Sequence, residues 1–155
     1  MDDPLHRDIL IVSAIPMIRD LFQEVFLTEH YQCLVAGNGE EAIEKFRQWR
    51  PSLVVTDFNL PDTCGTEVLQ NVRREDLDVA VIMICGSMFK RGGKVIGFLD
   101  VEAVRSASLE LGAYAVFEKP VDVGELVLTA ERALEARQTR SDRRQLLSPL
   151  GLPEQ

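Results

Sequence analysis

Short apolar runs and helix-length amphipathic stretches alternate along this chain about five times, a rhythm few architectures tolerate. Residues 9–12 (Ile-Leu-Ile-Val) form a continuous apolar run, as expected of a strand covered on both faces. Pro16 suits a first helical turn. Met17, Ile18, Leu21, Phe22, Val25 and Phe26 then recur at helical spacing. The pattern predicts further strands at 31–35, 53–55, 79–84 and 113–117. Helices are predicted at 40–49, at about 66–74, at 100–111, and from after Pro120 to past Ala136. The fold class that follows is α/β, a doubly wound, five-stranded parallel sheet with helices on both faces.

In such a sheet, ligands sit beyond the carboxyl ends of the strands, near the point where strand order reverses. The residues to inspect are therefore Ser13 and Ala14, Asp57, the 85–87 segment and Lys119. A carboxylate such as Asp57 at a strand end can act as a nucleophile or a cation ligand. Lys119 can reach across to an oxyanion near it. Lys119-Pro120 is a candidate for a cis bond. Alone, each residue reads as an ordinary loop or surface residue. Together, on the right strand ends, they read as a site.

Composition narrows the function classes. The chain has 155 residues and a formal net charge of -8, which argues against a broad nucleic-acid or anionic-membrane surface. Three cysteines, Cys33, Cys64 and Cys85, fit neither a disulfide framework nor a zinc site. With no signal-like start and no membrane-length apolar run, a cytoplasmic location is expected. His6 and His30 read as solvated, and Trp49 as a packing residue at a helix end. Arg132, Arg137, Arg140, Arg143 and Arg144 interleave with Glu131, Glu135 and Asp142, as on a solvated helix.

One segment breaks the repeat. Residues 86–99 are glycine-rich, basic and apolar, and read as a mobile loop or a small hairpin around Gly92-Gly93. Lys90, Arg91 and Lys94 beside those glycines resemble an anion-binding loop, although the segment is no P-loop, and a flexible insertion is the simpler reading. The expected division is a domain over 1–137 with this insertion, then a helical extension and tail over 138–155.

The residues around Asp57, Pro61 and Gly65, the Asn38-Gly39-Glu40-Glu41-Ala42 turn, and Phe117-Glu118-Lys119-Pro120 resemble the CheY-like receiver domains of response regulators in two-component signalling. The resemblance covers roughly residues 8–137. It implies the strand order 2-1-3-4-5 and a signalling module rather than an enzyme. It implies that Asp57 accepts a phosphoryl group from a histidine kinase or phosphotransfer protein, that Lys119 contacts that group, and that the Asn59 backbone carbonyl and Asp57 help hold Mg²⁺. It also implies a downstream protein partner or fused output domain, no nucleic-acid or membrane contact by this domain, and pairing through the face of helix four, strand five and helix five.

Four departures make the resemblance atypical. Ser13 and Ala14 stand where the family supplies an acidic pair, so Mg²⁺ binding is expected to be weak or absent. Asp62 lies beyond Pro61 and is expected to point away. Cys85 stands at the position of a hydroxyl residue, and a thiol donates poorly to a phosphoryl oxygen; Ser87 could replace it if the loop shifts. Val116 occupies the usual aromatic switch position, with Phe117 and Tyr114 close by. The insertion falls next to the family's output surface. Two readings follow: a receiver phosphorylated at Asp57, or a degenerate receiver that signals by protein–protein interaction. The alternative from another class is a small flavodoxin-like enzyme or phosphohydrolase. Asn59 stands where an aspartate-nucleophile phosphohydrolase wants a second acid, and Ile15-Pro16 where a flavin phosphate loop would lie.

Overall fold

The computed structural model describes residues 8–151. Five strands make one parallel sheet: β1 (Asp8–Val12), β2 (Gln32–Ala36), β3 (Leu53–Asp57), β4 (Ala80–Cys85) and β7 (Ala115–Glu118). Their order is β2-β1-β3-β4-β7. This is the expected 2-1-3-4-5 order, because β7 is the fifth strand of this sheet. β5 (Met88–Arg91) and β6 (Lys94–Phe98) pair only with each other, as an antiparallel hairpin. The insertion is thus the small hairpin, one of the two forms expected for it.

The helices are α1 (Pro16–Thr28), α2 (Gly39–Trp49), α3 (Gly65–Glu75), α4 (Val101–Glu110) and α5 (Val123–Leu147), with a short 3₁₀ turn at Ser148–Leu150. Local chemistry sets several boundaries. Asn38, Asp100 and Asp122 each cap a helix by accepting a backbone N–H three residues on. Ile15 caps nothing, and Pro16 opens α1 instead.

The sheet buries both faces. On one side, Leu10, Val54, Val81 and Met83 meet Phe46 of α2, Leu69 and Val72 of α3 and Val104 of α4. On the other, Ile9, Ile11, Val55 and Ile82 meet Phe22 and Phe26 of α1 and Leu126 and Ala130 of α5. Successive strand residues point to opposite faces, so the continuous apolar runs divide cleanly between the two cores.

Two surface expectations need correction. Trp49 is 52% exposed rather than packed: it shares the side of α2 that carries Ala42 and Phe46 but stands at the last residue of the helix. The arginines of α5 do not merely face solvent. Arg137 pairs with Asp76 at 3.8 Å, Arg140 with Asp78 at 3.3 Å, and Arg144 also with Asp78. α5 itself runs unbroken through position 138. His6 lies outside the described residues. No described helix is long and apolar enough to cross a membrane.

Candidate functional site

The carboxyl ends of β1, β3, β4 and β7 converge, and backbone hydrogen bonds carry each chain a little past its strand. Phe58 N–H donates to the Ile84 carbonyl at 2.7 Å, and Lys119 N–H to the Cys85 carbonyl at 2.9 Å. The side chains that emerge there are therefore held by the sheet itself. Asp57 is 4% exposed. Its Oδ1 lies 3.5 Å from Lys119 Nζ, and the Ser13 side chain acts on its carboxyl from the neighbouring strand end. Ser13 Oγ accepts from Ile15 N–H at 3.2 Å. The bond between Lys119 and Pro120 is cis.

Burial pushes the Asp57 carboxyl above its usual range; Lys119 and Ser13 pull it down without cancelling that effect. Gly65 explains why a glycine follows at this spacing. A Cβ there would stand 2.3 Å from the Asp57 carbonyl oxygen and 2.8 Å from Met83 Sδ. The α3 start can approach β3 this closely only without a side chain.

A cavity of about 670 Å³ opens directly over Asp57. Ala14, Asn59, Ser87, Lys119 and Pro120 line it, and so do Met88, Lys90, Gly92 and Gly93 of the hairpin. The hairpin is thus a roof over the strand ends. It is tethered by Arg91, whose Nη1 donates to Asn59 Oδ1 at 3.1 Å and to the Leu60 carbonyl at 2.7 Å. The Arg91 guanidinium also lies 4.7 Å from the Phe89 ring centroid.

The structure brings Asp57, Lys119, Ser87 and Asn59 to one cavity. Cys85 does not line it. Its side chain shares the face of Val81 and Met83, inside the core, and its Sγ lies 3.2 Å from the Gly86 carbonyl. Burial pushes this thiol up, and neighbouring Glu118 adds to the effect. Asp62 points away as expected: its carboxylate accepts from Gly39 N–H at 2.8 Å and Glu40 N–H at 3.0 Å, at the start of α2. Burial works to raise the Asp62 carboxyl, but these amides outweigh it and hold the group low.

Three contributors escaped sequence reasoning. Ser13 is more than the replacement of an acidic residue: its side chain helps to pull the Asp57 carboxyl down. Arg19 donates to the Ser13 carbonyl at 2.6 Å and steadies that strand end. Arg91 is the hairpin's tether. Helical spacing places Arg19 one turn beyond Ile15, a legible signal; nothing local in the sequence points Arg91 at Asn59.

A dedicated divalent-cation cage does not fit these residues. Mg²⁺ favours carboxylates and an octahedral oxygen shell. Among the described residues no three His, Cys, Asp or Glu side chains stand together. Asp57, the one carboxylate that the described residues bring to the cavity, already faces an ammonium.

Against known proteins, residues 9–131 match the family model of the response regulator receiver domain. Sporulation initiation phosphotransferase F of Bacillus subtilis is 34% identical over 122 residues, which are 79% of this chain and 89% of that protein. Nitrogen assimilation regulatory protein NtrX of Azorhizobium caulinodans is 32% identical over 92% of this chain, which spans only 29% of that longer protein. Among solved structures, the receiver domain of NtrX from Brucella abortus superposes with a TM-score of 0.70 at 28% identity, covering 83% of this chain and 98% of that one.

Proposed function

The chain belongs to the response regulator receiver domain family of two-component signalling, and from that premise we propose that it is an atypical receiver. Receiver domains generally bind Mg²⁺ for phosphorylation, and they act as signalling modules that meet histidine kinases, phosphotransfer proteins and output domains. Here the fold passes a signal on by protein–protein contact, and Mg²⁺-dependent phosphorylation of Asp57 is weak or absent. The chain carries no catalytic turnover of its own, and it works in the cytoplasm.

One observation carries this reading. Asp57 is buried opposite the Lys119 ammonium, and among the described residues no second carboxylate lines its cavity. Phosphoryl transfer depends on positioning and on neutralising charge spread over the transferred oxygens. Lys119 supplies one positive charge for this. Ser13 and Ala14 supply no anchor for a metal that would add two more. Cys85, turned into the core, offers no donor to a phosphoryl oxygen.

The conventional reading keeps one specific support, the Asp57–Lys119 pair at 3.5 Å. The two are separated by incubating the protein with Mg²⁺ and a small phosphodonor and reading intact mass. The atypical reading expects little or no phosphoryl gain in a folded protein. Rapid stoichiometric gain that disappears in Asp57→Asn would overturn it.

A further inference from the structure

The cavity over Asp57 is more than the strand ends of the sheet would leave. Its roof is the hairpin, and the hairpin is closed on itself: Leu99 N–H donates to the Ser87 carbonyl at 2.8 Å, joining the two ends of the insertion. Gly92 and Gly93, at φ 58° and 77°, make the two-residue turn. Along β5 the side chains alternate. Met88 and Lys90 line the cavity, whereas Arg91 holds the β3–α3 loop. A volume of about 670 Å³ falls within the range of roughly 300–1,000 Å³ typical of small-molecule sites.

The lining has two characters. Leu60, Ile84, Met88 and Pro120 give apolar walls. Among the described residues, Lys90 and Lys119 are the cations of the lining and Asp57 is its only carboxylate. Lys119 faces Asp57. Lys90 has no ion pair among the described residues, so the cavity keeps one positive charge over. An occupant that satisfies both characters has an apolar body and a single acidic group.

We propose that this roofed cavity binds a small organic anion, an apolar molecule bearing one carboxylate or sulfonate-like group, with Lys90 as its counter-charge and the apolar walls around its body. The proposal goes beyond phosphoryl signalling and holds whether or not Asp57 is phosphorylated.

Anilinonaphthalene sulfonate fits the class and reports on binding by fluorescence. The expected result is saturable one-to-one binding to the natively folded chain. Lys90→Glu weakens it about tenfold, the scale of one lost charge-assisted contact. Ser87→Trp, which fills the cavity from an exposed position, abolishes it. Phe98→Ser, at an exposed position outside the cavity lining, leaves it unchanged. Circular dichroism melting of each variant separates a lost site from a lost fold, and chemical-shift mapping of the unaltered protein, expected to move Ser87, Met88 and Lys90, serves where a variant does not fold. Absence of saturable binding overturns the proposal. So does equal affinity for uncharged phenylnaphthylamine with no effect of Lys90→Glu, which would leave only apolar contact. So does loss of binding in Phe98→Ser but not in Ser87→Trp, which would put the dye outside the cavity.

Discussion

Asp57 is held in a conflict between burial and pairing, and its titration exposes the balance. Its carboxyl is raised above its usual range, chiefly by desolvation. A raised acid means that the native state holds its proton at a pH where the unfolded chain has released it. Stability therefore falls as pH rises from the ordinary carboxylate range through the raised value. Asp57→Asn removes the buried charge, so it is expected to stabilise the protein at pH 7 by about 1 kcal/mol. Thermal melts from about pH 4 to pH 8 should show the two proteins converging at the acid end. A constant gap across that range would contradict this account. Gly65 offers a second test at this scale. Gly65→Ala places a methyl 2.3 Å from a backbone oxygen, with an expected cost of about 2–3 kcal/mol in denaturant unfolding.

At the scale of elements, the hairpin is the piece whose order depends on a few contacts. Removing the guanidinium in Arg91→Ala should speed amide exchange across Met88–Arg91 and Lys94–Phe98 while the main sheet stays protected. Unchanged exchange would mean that Arg91 is no tether. How far these elements could be read from sequence has a physical answer. Strands covered on both faces are written as unbroken apolar runs, so the strands and helices of the main sheet were legible within a residue or two. Helix α3 begins at Gly65 rather than Thr66 because close packing on β3 admits its first turn there. The hairpin could only be narrowed to loop or hairpin, since Gly92-Gly93 permits a tight turn without requiring one. Cys85 shows a signal that period-two alternation already contained. It shares the parity of Val81 and Met83, which face the core, and not that of Ile84, which lines the cavity. Ser13's influence on Asp57 joins residues from different strand ends, and no local pattern encodes it.

Across the whole molecule, α5 is pinned to the turn that leads into β4. Arg140 and Arg144 converge on Asp78, in the turn before β4. The Arg144 hydrogen bond holds the Asp78 carboxyl below its usual range, and burial does not undo this. For a depressed acid, the added stability is present above the ordinary carboxylate pKa and is lost as pH falls through the lowered one. The arginines are partly exposed, so screening keeps the contribution small. Asp78→Asn should cost no more than about 1 kcal/mol at low salt, and the cost should shrink as salt is added. A cost that ignores salt would assign the contact to packing instead.

The Ser87–Leu99 hydrogen bond has a meaning for heredity as well as for shape. Because the insertion begins and ends at one point, a gene could gain or lose it in a single event without pulling any strand of the sheet out of register. The roof is a cassette, and with it an ancestral scaffold could acquire a new chamber in one step, its five strands left as they were.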